Sequence, residues 1–170
     1  MKVNFIANLK NDRGTLVFLC LKNKPLDTYL NNINKNVNNY INKAAKISGM
    51  EYNNSSFVDI LMPHNSKADR LLLFGIDQTK LKNEFDFGKL GSFIASVLNN
   101  KKIKDIKFIS TDLGMKGTNE VNILYGMALN TYRFNKYFTD DIKKRNNYLK
   151  TVNFISGKAA SIKKLWTRYN

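Results

Sequence analysis

The sequence predicts a three-layer α/β sandwich, with a mixed, mostly parallel sheet flanked by helices. Three observations carry that expectation. Short continuous apolar runs, such as Leu71–Ile76 and Ile106–Ile109, read as strands buried on both faces. Longer stretches between them repeat their apolar residues at steps of three and four, the period of an amphipathic helix. The two kinds alternate without an internal repeat or a Pro/Gly/Ser-rich linker, so the 170 residues read as one compact domain.

At the N-terminus, Val3, Phe5 and Ala7 alternate with polar residues, and the turn cluster Asn11-Asp12-Arg13-Gly14 leads into the β-rich run Thr15 to Leu21. Two strands joined by a hairpin are the simplest reading. Pro25 stands where a helix opens, and Leu26, Leu30, Ile33, Val37, Ile41, Ala44 and Ile47 form one apolar stripe closed by Gly49. The rest of that stretch is Asn-rich, but a stripe sustained over several turns argues for a helix rather than a low-complexity linker. Phe57 to Met62, stopped by Pro63, and Arg70 to Ile76 follow as buried strands.

Phe87, Leu90, Ile94, Val97 and Leu98 return to helical spacing over 86–98, and the cluster Lys101 to Lys104 precedes the strand Ile106 to Ile109. A Gly-containing loop, 112–117, separates that strand from a helix expected between about Asn119 and Phe134. Val152 to Ile155 reads as the last strand and Ala159 to Tyr169 as the last helix. The later connections are long enough to join parallel neighbours by right-handed crossovers.

Composition narrows the function classes. One cysteine, Cys20, excludes an intrachain disulfide and a cysteine-based metal site, which favours a reducing compartment, the cytoplasm. The apolar run Leu16 to Leu21 is too short to span a membrane and lies too far behind charges for a signal peptide. Twenty-eight Lys and Arg against 13 Asp and Glu give a net charge of +15, which predicts attraction to polyanions. About one residue in seven is Asn, with Lys and Ile abundant, the mixture an AT-biased genome writes on any solvated surface.

The segment Leu124-Tyr125-Gly126-Met127-Ala128-Leu129-Asn130-Thr131-Tyr132-Arg133-Phe134-Asn135-Lys136-Tyr137 resembles a helix of the leucyl aminopeptidase N-terminal domain, where a glycine, a small residue and Tyr-Arg-Phe-x-x-Tyr occur together. Leu71 to Ile76 and Val152 to Gly157 are similar to strands of that domain, in the same order. The resemblance implies a macro-domain-like fold over residues 1–157, with 158–170 starting a helix that connects to a C-terminal catalytic domain. It also implies a homohexamer in the cytoplasm and a catalytic domain that holds two divalent metals, Mn or Zn, through Asp and Glu residues. The family's Asn-Thr-Asp-Ala-Glu-Gly-Arg motif is missing from this chain, so no catalytic, cofactor or metal residue carries over. Gly126 costs about 1 kcal/mol against Ala inside a helix, which points to a close approach by a neighbouring element. Tyr132, Phe134 and Tyr137 then read as packing residues at the base of the domain.

The remaining candidates have bland and sharp readings. His64 falls in a polar loop and reads as a surface residue, and Cys20 reads as a small buried hydrophobe rather than a nucleophile. Gly114-Met115-Lys116-Gly117 sits between a strand and a helix, where open α/β sheets bind phosphates, and carries the alternative of nucleotide binding. Lys101-Lys102-x-Lys104, Lys143-Lys144-Arg145, and Lys158 with Lys163, Lys164 and Arg168 form the basic clusters. Solvated surface, an interface with the catalytic domain, and a DNA groove are the three readings of those clusters.

Overall fold

A computed structural model describes residues 1–22, 43–63, 66–110, 115–132 and 147–168. Its strands are β1 (Lys2–Ile6), β2 (Gly14–Leu21), β3 (Ser56–Leu61), β4 (Ala68–Ile76), β5 (Asp105–Ile109) and β6 (Thr151–Ile155). The helices are α1, described over 43–47, α2 (Glu84–Asn100), α3 (Gly117–Thr131) and α4 (Ala159–Trp166). One sheet joins all six strands in the order β1-β6-β5-β2-β4-β3, parallel except for β3, which runs antiparallel to β4. The expected α/β class and mixed, mostly parallel sheet are therefore present.

The hairpin expected between the first two strands is absent. β6 and β5 lie between β1 and β2, and β1 pairs in parallel with β6. Leu16 to Leu21 are all buried, and a strand buried on both faces belongs in the middle of a sheet. The 7–13 connection therefore crosses the sheet without a helix. Lys107 of β5 holds it there, its Nζ donating to the carbonyls of Asn11 (3.1 Å) and Arg13 (2.7 Å) and to the Asn11 side chain. Asn4, Asn153 and Lys107 are register partners across β1, β6 and β5, and Asn4 donates to Asn153 at 2.9 Å. That polar row shares its face with the segment crossing above it.

The opposite face is aromatic. Phe5, Phe154 and Phe108 sit side by side across the same three strands, with ring centroids 6.0 and 5.6 Å apart. Trp166 of α4 closes over Phe5 at 6.4 Å. At the other end, Phe93 of α2 packs against Phe74 (5.9 Å) and Phe57 (6.4 Å). Such tilted and edge-on pairs contribute about 0.5–1.5 kcal/mol each beyond their buried area.

Three other sequence expectations shift. β3, expected to be buried on both faces, is an edge strand in which only Val58 and Ile60 are buried. Its Asp59 meets Lys101 Nζ at 2.6 Å and Arg70 Nε at 3.1 Å, the latter an ion pair without hydrogen-bond alignment. Ile47, assigned to the buried stripe, is 76% exposed, and Ala45 faces the core in its place. The helix still ends at Gly49: with φ at +61° it lets the Met50 amide bond the Ala45 carbonyl and its own amide bond Lys46. The third helix stops at Thr131, three residues short of Phe134, and Tyr132 is extended and exposed.

Candidate functional site

Two places concentrate chemistry that the core does not absorb. The first lies where α2 and α3 cross. Asn83 and Asp86 form a capping box that fixes the start of α2, and the two helices then approach until backbone meets backbone. A methyl group on Gly91 would lie 1.9 Å from the Ile123 carbonyl oxygen, and one on Gly126 would lie 2.0 Å from that of Gly88. The close approach read from Gly126 is thus present, and its partner is Gly88 of α2.

At this crossing lies a groove of about 420 Å³, lined by Phe85, Gly88, Lys89, Asn122, Tyr125, Gly126 and Leu129 among others. Phe85 is 68% exposed and Leu129 55%. The Lys89 ammonium lies 4.4 Å from the centre of the Phe85 ring. Asn122 is only 5% exposed, and its Nδ2 has no hydrogen-bond partner among the described residues. The groove combines apolar walls, a glycine floor and one unspent polar group, the usual make-up of a binding surface.

The second place is the carboxyl end of β5 and β6, beside the start of α3. Glu120, in the first turn of α3, is 5% exposed, and Ser110 at the end of β5 donates its hydroxyl to one carboxyl oxygen. The other oxygen has no partner among the described residues. Burial pushes the Glu120 carboxyl above the ordinary value, opposed by the Ser110 hydrogen bond and by the charge of Lys158. Among the described residues no second acid or imidazole stands beside it to make a general acid–base pair.

The residues singled out in the sequence do not converge. Cys20 is fully buried and its thiol is pushed far up by burial, the opposite of a nucleophile. Lys101 is engaged with Asp59, while Lys163, Lys164 and Arg168 line the solvent side of α4 and the turn after it. In the Gly114–Gly117 loop, Met115 is buried and Gly117 opens α3. His64, Gly114, Phe134, Tyr137, Lys143, Lys144 and Arg145 lie outside the described residues. Sequence reasoning missed Glu120 and the groove; the available signals were an acid beside the run Val121 to Leu124, and large apolar residues off the buried stripes of both helices.

With this geometry, comparison with known proteins is decisive. Residues 16–141 match the model of the cytosol aminopeptidase family, N-terminal domain. The chain belongs to that family. A probable cytosol aminopeptidase from Sinorhizobium fredii is 30% identical over 125 residues, which are 72% of this chain and 25% of that protein. Among solved structures, a tomato leucine aminopeptidase mutant superposes with a TM-score of 0.70 at 12% identity, covering 98% of this chain and 35% of the other. A mutant macrodomain from Oceanobacillus iheyensis gives 0.56 at 12% identity, covering 96% of each chain. Both likenesses show the fold, and the macro-domain-like architecture is the one expected. The chain spans about a quarter of the length of the curated relatives it matches.

The metals that the family implies do not fit these residues. Among the described residues no group of three His, Cys, Asp or Glu is placed to hold an ion. Likewise, no described helix is long and apolar enough to cross a membrane.

Proposed function

We propose that this chain is a non-catalytic N-terminal domain of a cytoplasmic, metal-dependent leucyl aminopeptidase, in which it packs on the catalytic domain and braces a homohexamer. The observation that supports this most is the family match to an N-terminal domain that makes up about a quarter of its relatives. Two metals, Mn or Zn, belong to the catalytic domain on this reading, and α4 starts the connection that leads to it.

The polyanion readings have less support. An anion at the start of α3 would sit beside the buried Glu120 carboxyl, which opposes the attraction of the helix N-terminus. Lys101 and Lys107 are already engaged with Asp59 and with Asn11 and Arg13, so part of the positive charge serves the fold. Incubating the purified chain with Mn or Zn and a leucyl substrate tests the proposal: it gives no turnover, and measurable hydrolysis defeats it.

A further inference from the structure

The groove between α2 and α3 leaves both apolar surface and a polar group unmet among the described residues. Phe85, Tyr125 and Leu129 line it, three of the eight large hydrophobic side chains that are exposed among the described residues. Apolar residues gathered in one concavity mark an interaction site, where scattered ones do not. Asn122 adds a buried amide nitrogen without a hydrogen-bond partner among the described residues, which is unfavourable until an acceptor reaches it. The occupant therefore brings apolar surface together with an oxygen acceptor, as a polypeptide segment does through a side chain and a neighbouring carbonyl.

Charge and position select among polypeptides and polyanions. Among the described residues the charged ones lining the groove are Glu84 and Lys89, one of each sign, so this lining favours a polypeptide over a nucleic acid in a chain of +15. α4, the last described helix, packs against α3: a methyl group on Gly117 would touch Leu165 at 3.4 Å and Ile162 at 3.7 Å. In the relatives, about three quarters of the polypeptide lies outside the stretch matched here. The domain model is N-terminal, so the part that follows it emerges beside the helix that forms one wall of the groove.

We propose that this groove is the docking surface for the aminopeptidase's catalytic domain, which seats an apolar side chain over Gly88 and Gly126 and presents an oxygen to Asn122. This rests on the assembly role proposed above and names the surface that performs it. Phe85 and Leu129 form the walls, and the Lys89 ammonium, also in the lining, lies 4.4 Å from the centre of the Phe85 ring. At Gly88, where a methyl group would meet nothing within 4 Å, the floor leaves room for the inserted group against the helix backbone.

The test mixes the full 170-residue chain with the separately produced remainder of the Sinorhizobium fredii protein, beyond its matched quarter, in a calorimetric titration. Association is expected, weakened about tenfold or more by Leu129→Asp and by Phe85→Asp, as for anchors at the centre of an interface. Lys163→Glu on the outer side of α4 is expected to leave it unchanged. Both groove positions are exposed, so the variants keep the fold, and unchanged melting curves verify this. Association that ignores both groove substitutions overturns the groove assignment and leaves the assembly role standing. No association by the unaltered chain overturns both. A dimer of this chain in sedimentation equilibrium, broken by Leu129→Asp, assigns the groove to a second copy and also overturns the inference.

Discussion

Gly126 of α3 and Gly88 of α2 are unequal partners in one contact: a methyl group on Gly126 would lie 2.0 Å from the Gly88 carbonyl oxygen, whereas one on Gly88 meets nothing within 4 Å. Gly126→Ala must push the helices apart and is expected to destabilise the fold by about 1–3 kcal/mol or more, despite the better helix propensity of Ala. Gly88→Ala gains that propensity without a clash and is expected to stabilise it by about 0.4–1 kcal/mol. Urea denaturation of the two variants checks the opposite signs.

Glu120 supplies a pH dependence. Its folded-state pKa is raised, chiefly by burial, so the stability linked to its proton is fully present below the unfolded value and is lost as pH rises through the folded one. Glu120→Gln keeps an acceptor for Ser110 and removes the charge. The variant is expected to show a flatter stability profile above about pH 4.3 and to be more stable than the parent at neutral pH, measured by chemical denaturation across pH.

Asp59 ties the edge strand β3 to β4 and to the end of α2 through Arg70 and Lys101. These side chains are 19–27% exposed, so the network lies between the surface and buried cases. Asp59→Ala is expected to cost about 1–2 kcal/mol and to do so less at 1 M salt, since the two cations it leaves behind are then screened. Thermal melting at low and high salt checks this.

Lys107 anchors the only helix-free crossover seen between parallel strands among the described residues. Lys107→Met leaves the Asn11 and Arg13 carbonyls without their shared donor. Amide hydrogen exchange is expected to quicken in the neighbouring segment 8–13 and to change little in β5 itself, which stays paired to β2 and β6.

These relationships were unequally legible in the sequence. Strands such as Leu71 to Ile76 announce themselves because a continuous apolar run demands cover on both faces, and Gly126 does so because glycine inside a helix has a cost that packing must offset. Strand order was not legible. Periodicity fixes what each segment is and says nothing of its neighbours, so the turn cluster at Asn11 to Gly14 read as a hairpin when it ends a crossover held by Lys107, nearly a hundred positions away in sequence. The groove stayed hidden for the same reason. Phe85 and Leu129 lie on different helices, and the Gly88–Gly126 and Gly91–Ile123 contacts bring their faces together.

The central claim is that this domain carries no catalytic metal centre of its own. Equilibrium dialysis of the purified 170-residue chain against micromolar Mn or Zn, with leucyl-substrate hydrolysis followed in the same samples, tests it most directly. The account predicts well under one equivalent of retained metal and no turnover, since among the described residues no cluster of His, Cys, Asp or Glu can hold an ion. Retention of two equivalents together with turnover would contradict it.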